Sequence, residues 1–271
     1  MQIFSRGFVR VGIFILLVVA IALPAQAVTF SNASLKGSYS FLTELWTASA
    51  STNQFAMVGV LTFDGTGNAT GSFTSISHDT VSTGALKGTY TVNSNGTGTI
   101  TFTSGSTAQF AITLNSTASG VAHGVQLLQT NDSNNEIISG TALLQATTAG
   151  TYSVASLKGT FAFQYNPRTV DGTLSEDGGI GIFSFDGKGN VTTSITNVFG
   201  GALFTHTGLT GTYSVNSDGS GSLVVVSKHN PQLAFALNTV AAGHAKGLQF
   251  LDTNTGDGSG NLVITGSALT Q

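Results

Sequence analysis

Large apolar residues recur at every second position in Phe110-Ala-Ile-Thr-Leu114, and Leu233-Ala-Phe-Ala-Leu237 repeats the alternation. Period two belongs to a strand with one buried face, whereas a surface helix would show a stripe every three to four residues. After residue 27, no window of ten or more residues carries such a stripe free of Gly and β-branched residues. The alternation predicts eight strands over 35–48, 55–63, 69–77, 84–92, 98–103, 108–115, 120–130 and 136–145. It predicts eight more over 156–165, 178–185, 191–196, 205–215, 220–227, 232–237, 243–251 and 262–270.

The breaks between these runs are turn signals. Asp64-Gly65, Asn95-Gly96, Asp186-Gly187 and Asp218-Gly219 each sit between apolar-alternating segments. An Asx-Gly pair there marks a hairpin, because both residues tolerate positive φ. The further glycines Gly67, Gly98, Gly189 and Gly221 suit a bulge or a longer loop.

The pattern is written twice. GVLTFDGTGNAT (Gly59 to Thr70) returns as GIFSFDGKGNVT (Gly181 to Thr192), and LKGTYTVNSNGTG from Leu86 returns as LTGTYSVNSDGSG from Leu209. The offset is 122 at Leu35/Leu157 and Asp64/Asp186, and 123 at Tyr90/Tyr213 and Gly124/Gly247, so one residue was gained in a turn. Two units follow, 34–145 and 155–271, joined by a short linker. Within each unit L-x-G-[ST]-aromatic occurs twice, at Leu35 and Leu86, then at Leu157 and Leu209 when one Thr replaces Lys. Glycine two places before a ring suggests a bend near a barrel end that the ring plugs.

Eight consecutive strands on short links, with no helix to cover a sheet, point to an up-and-down meander that closes on itself and so hides its edges. The expected fold is all-β: two tandem eight-stranded up-and-down barrels. Eight strands enclose a space that side chains fill or that holds one small ligand. The L-x-G-[ST]-aromatic opening resembles the first strand of calycin-type barrels, the avidin-like and lipocalin-like proteins. FDGxGN together with GTYxVNxxGxG resembles a group of uncharacterised secreted bacterial proteins with tandem β domains. The resemblances imply closed barrels and export. They imply no activity, and no ligand residues carry over.

Composition fits this reading. Charged residues make up 8% and Gly contributes 35 of 271 residues, against roughly a quarter charged in an ordinary soluble domain. Ser, Thr and Asn occupy the polar positions, and 41% apolar content suffices for a core. There is no Cys, hence no disulfide, thiolate zinc site or Cys nucleophile.

The N-terminus reads as a signal peptide over 1–27: Arg6 and Arg10, an apolar run of 13 residues from Val11 to Leu23, then Ala25-Gln26-Ala27 for cleavage. Export to the periplasm, the cell surface or the medium is therefore expected, without stable membrane insertion afterwards. Losing Arg6 and Arg10 leaves 7 of the 9 Lys+Arg against 12 Asp+Glu, a formal charge of −5. Such a chain offers no footprint for nucleic acid.

Candidate chemistry is sparse. Asp64-Gly65-Thr-Gly67-Asn68 and Asp186-Gly187-Lys-Gly189-Asn190 place oxygens at alternate positions, but each has one carboxylate and no bidentate acid at calcium-loop spacing. They read as structural turns. Asp252, Asn254 and Asp257 form a richer oxygen cluster and are the calcium candidate, although Val263 stands where Glu would close the loop. The five His form no H-x-H or H-E-x-x-H pattern, and no G-x-S-x-G elbow exists. No catalytic residue or cofactor is nominated, and a non-enzymatic protein is expected. Trp46 and Glu44 near the end of the first strand, with Tyr165 and Arg168 in the same region of the second unit, are the candidate ligand contacts at a barrel mouth. The expected partner is a small apolar or saccharide ligand. An adhesive or structural surface module that self-associates is the alternative, and a single sixteen-stranded outer-membrane barrel is a further one.

Overall fold

The computed structural model describes residues 29–47, 55–77, 80–118, 120–131, 136–146, 150–169, 178–254 and 262–271. Residues 1–27, where the sequence suggests a signal peptide, lie outside them, and no helix among the described residues is long and apolar enough to cross a membrane. The first unit contains β1 (Lys36–Thr47), β2 (Phe55–Asp64), β3 (Asn68–Ser77), β4 (Thr80–Val92), β5 (Thr97–Ser104), β6 (Gln109–Ala118), β7 (Val121–Gln129) and β8 (Glu136–Ala146). The second contains β9 (Lys158–Thr169), β10 (Gly178–Asp186), β11 (Asn190–Phe199), β12 (Ala202–Val215), β13 (Ser220–Val226), β14 (Gln232–Ala241), β15 (His244–Asp252) and β16 (Leu262–Thr270). Each set of eight is an antiparallel meander closed on itself, by β8 on β1 and by β16 on β9. Two separate closed barrels replace the single sixteen-stranded barrel considered as an alternative.

The turns after β2 and β10 share the lower end of each barrel. There the Asp64 carboxylate accepts the backbone N–H groups of Thr66, Gly67 and Asn68 at 2.7, 2.9 and 3.0 Å, together with the Thr66 hydroxyl and the Asn68 amide. Asp186 takes Lys188 and Asn190 in the same way. Gly65 and Gly67 sit at φ 81° and 126°, which side chains avoid. The repeated FDGxGN is thus a self-satisfied loop.

Those hydrogen bonds, led by the Thr66 hydroxyl, hold the Asp64 carboxyl well below the usual carboxylate range. A carboxylate whose folded pKa is depressed stabilises the fold above its unfolded pKa of roughly 3.9, and loses that contribution as pH falls through the folded value. Asp64→Asn should therefore lower the urea midpoint by a constant amount above about pH 5. The gap to the parent should begin to narrow below about pH 4 and go on narrowing towards the depressed folded value, read from urea curves at stepped pH.

A 3-10 turn at Asn32–Ser34 and its copy at Val154–Ser156 close these lower ends. Leu35 and Leu157, just after them, are wholly buried. The Tyr90 hydroxyl donates to Leu35 O at 2.7 Å, and Tyr213 donates to Leu157 O at 2.8 Å. Burial pushes the Tyr90 phenol up to about 12. Edge-to-face rings complete the plug: Phe63 meets Tyr39 at 5.5 Å and Tyr90 at 5.0 Å, and Phe185 meets Phe161 and Tyr213 at the same distances. This explains L-x-G-[ST]-aromatic. Gly37 and Gly159 need positive φ. At Gly88 and Gly211 a Cβ would lie 2.3 and 2.2 Å from a carbonyl of the neighbouring strand.

The barrels also pack on each other. Ala56, Val58, Val60 and Ile76 of the first form an apolar layer with Ala234, Ala236, Leu251 and Val263 of the second. Gln249 bridges the layer, accepting the Ser40 hydroxyl at 3.0 Å and donating to Thr141 Oγ1 at 2.9 Å. Ser72 donates to Asp218 at 2.6 Å, and Thr265 donates to Glu44.

Candidate functional site

The interior of the second barrel is solid below and hollow above. Phe161, Phe185, Tyr213 and Phe235 fill the lower half. Above them Phe163 stacks on Phe183 at 4.0 Å, and Phe250 stands edge-on to both at 6.2 Å. These rings are the floor of a cavity of about 350 Å³, within the range of small-molecule sites. Its walls are Ile195, Leu209, Val225 and Leu233, and Tyr165, His206, Asn197 and the Ser227–Pro231 segment reach it at the upper end.

The hollow has a sequence cause. The strands that close it hold Ile195, Val225 and Leu233 where the first unit holds Phe73, Phe102 and Phe110. In the first barrel Phe102 and Phe110 meet edge-to-face at 6.2 Å in the core, with Phe73 packed against it. Three rings have thus become three smaller aliphatic side chains. Space for the remaining large rings comes from glycines directly across the ladder. Gly179 pairs with Tyr165, Gly181 with Phe163 and Gly266 with Phe250. A Cβ at these glycines would lie 2.4, 2.5 and 2.3 Å from the facing ring. Each ring therefore lies flat over a bare backbone.

Two polar atoms on residues of the lining have no partner. Thr193 Oγ1 and Asn197 Oδ1, both on β11, are buried and make no hydrogen bond. An unmet buried polar atom costs about 1–3 kcal/mol. Next to them the pairing slips: Thr193 faces Leu209, but Ile195 faces His206. The residue gained by the second unit thus sits inside β12, as a bulge beside Gly208 at φ 67°, and not in a turn as the offset suggested. This bulge brings His206 to the lining.

The candidates from the sequence separate here. Tyr165 lines the cavity. Glu44 lies on the outer face of β1 against Thr265 of the second barrel, outside any barrel interior. Trp46 stands opposite Ile137 and Arg168 opposite Val263; their side chains lie outside the described residues. Asp252 accepts the Asn254 N–H at 2.9 Å, and the Asn254 amide donates to His229 O at 2.7 Å, which ties two upper loops together. Asp257 lies outside the described residues, and among those described no cluster of three metal-ligating side chains occurs. Thr193, Asn197, Val225 and Leu233 were not singled out from the sequence. Aligning the two units and subtracting side-chain volumes would have found the last two.

No family model matches the chain, and no curated protein does. Among solved structures it is similar to a protein of unknown function from the DUF3598 family of Nostoc punctiforme. That match has 12% identity and a TM-score of 0.28, covering 89% of this chain and 98% of the other. It is also similar to kievitone hydratase from Nectria haematococca, at 8% identity and a TM-score of 0.26, covering 89% and 92%. Likeness of this degree defines neither family nor activity.

Proposed function

We propose that the protein binds, without turning over, a small and mainly apolar molecule in the upper half of the second barrel. The observation that carries this reading is a hollow of about 350 Å³ with aromatic floor and aliphatic walls, into which only a few polar groups project. The apolar walls favour such a molecule over a saccharide, whose many hydroxyls would lose water here without replacement.

The test transplants the first barrel's rings into the second. In Val225→Phe/Leu233→Phe the cavity should fill as it does around Phe102 and Phe110. N-phenyl-1-naphthylamine, a neutral fluorescent probe, should bind the parent saturably at one site. The double variant should weaken it about a hundredfold, roughly 2.7 kcal/mol. The same variant should unfold no earlier than the parent, since filling a cavity adds apolar burial. Failure of the parent to bind, or equal binding by the folded variant, would reject the reading.

A further inference from the structure

The buried layer between the barrels has two sides, and duplication has written each side twice. One side is the β1–β3 face of the first barrel, with Val58, Val60 and Ile76 at its centre. Its copies in the second barrel are Ile180, Ile182 and Val198. The other side is the β14–β16 face of the second barrel, centred on Leu251 and Val263. Its copies in the first barrel are Leu128 and Ile137.

Among the described residues, no second barrel covers the copies. Val58 and Val60 are each 2% exposed, while Ile180 and Ile182 are 63% and 38% exposed. Leu251 and Val263 are 0% and 4% exposed, while Leu128 and Ile137 are 47% and 51% exposed. Over Ile180 and Ile182 runs an open groove bordered by Gln164, Ser194, Ser267 and Leu269. In the first barrel the second barrel's β14 and β15 occupy the matching place.

We infer that the exposed β9–β11 face of one copy receives the exposed β6–β8 face of a second copy, repeating between molecules the packing that joins the two barrels within one. Three of the four polar bridges have counterparts, and the Ser40 hydroxyl that Gln249 accepts has none, since Ala162 holds its place. Gln249 donates to Thr141 within the chain; between chains Gln126 stands in Gln249's place and Ser267 in Thr141's. Ser72 with Asp218 becomes Ser194 with Asn95, and Glu44 with Thr265 becomes Asn166 with Ser139. Neither exposed face places a charged residue at these positions, so no like-charge repulsion opposes the contact. The two faces differ, so the contact is heterologous, and head-to-tail growth continues until a ring closes or a filament forms.

Sedimentation velocity of the protein over a concentration series tests this. The parent should associate with rising concentration. Ile180→Lys/Ile182→Lys and Leu128→Lys/Ile137→Lys, each verified as folded by circular dichroism, should each raise the concentration needed about tenfold or more. Mixing the two variants leaves one intact face on each, so the mixture should stop at a one-to-one dimer. A parent that stays monomeric at every concentration overturns the inference, as does association that both variants retain. A mixture that gives no dimer overturns it too. These outcomes do not involve the cavity, so the ligand reading stands or falls separately.

Discussion

Gly59→Ala should destabilise the first barrel by about 3 kcal/mol, although the same change in an ordinary strand relieves an entropic cost and stabilises. Gly59 lies in β2 between Phe41 on β1 and Phe73 on β3. A Cβ there would sit 2.1 Å from Ser72 O, 2.8 Å from Phe41 Cε1 and 2.9 Å from Phe73 Cα. The ring could turn aside, but the carbonyl and the Cα belong to the neighbouring ladder and can move only if the sheet shifts. Overpacking against backbone in a closed barrel has no free edge through which to relax. Gly178→Ala is the control: the nearest atom to its Cβ would be Tyr165 O at 3.7 Å. It should be neutral or slightly stabilising. Urea midpoints at unchanged slope read both effects. A Gly59→Ala protein as stable as the parent would mean that the rings do not need the bare backbone.

The strands were legible because two signals agreed. Alternation marked their buried faces, and Asx-Gly marked their ends at Asp64, Asn95, Asp186 and Asp218. Strands ran longer than the alternation where apolar residues stood side by side instead of at every second place. β11 continues to Phe199 and β12 begins at Ala202, through Asn197-Val-Phe-Gly-Gly-Ala-Leu-Phe204, whose adjacent apolar pairs carry no period of two. The 3-10 plugs were invisible, since three residues carry no period.

The packing between the barrels left a trace that alternation alone overlooks. Residues 55–61 are apolar at nearly every place, which means a strand buried on both faces. Val58 and Val60 point away from the interior that holds Met57 and Leu61, and meet the second barrel. Glu44 stood out as a lone acid on an apolar strand, and it belongs to the same outer face as Leu42. Of the site, Tyr165 was legible as an aromatic at a strand end. The cavity was not, because it is missing volume shared by Ile195, Val225 and Leu233, which lie on three different strands.

The same duplication supplies the second large effect. Val60→Asp should cost about 3–5 kcal/mol, whereas Ile182→Asp, at the equivalent position of the other barrel, should stay within about 0.5 kcal/mol. The backbone, strand and lateral neighbours are alike, and only the cover differs. Val60 is sealed beneath Ala236, Leu251 and Val263, so a carboxylate there loses water and meets apolar side chains in its place. Each barrel is closed on its own hydrogen bonds, so the molecule has an escape other than unfolding: the layer opens and the charge regains solvent. The cost of Val60→Asp is therefore capped by the free energy holding the barrels together. Calorimetry should show one unfolding transition for the parent and two for Val60→Asp, the earlier of them at lower temperature than the parent's. A single transition shifted as little as that of Ile182→Asp would show that the layer contributes nothing to holding the barrels together. The head-to-tail contact copied from it would then lose its template.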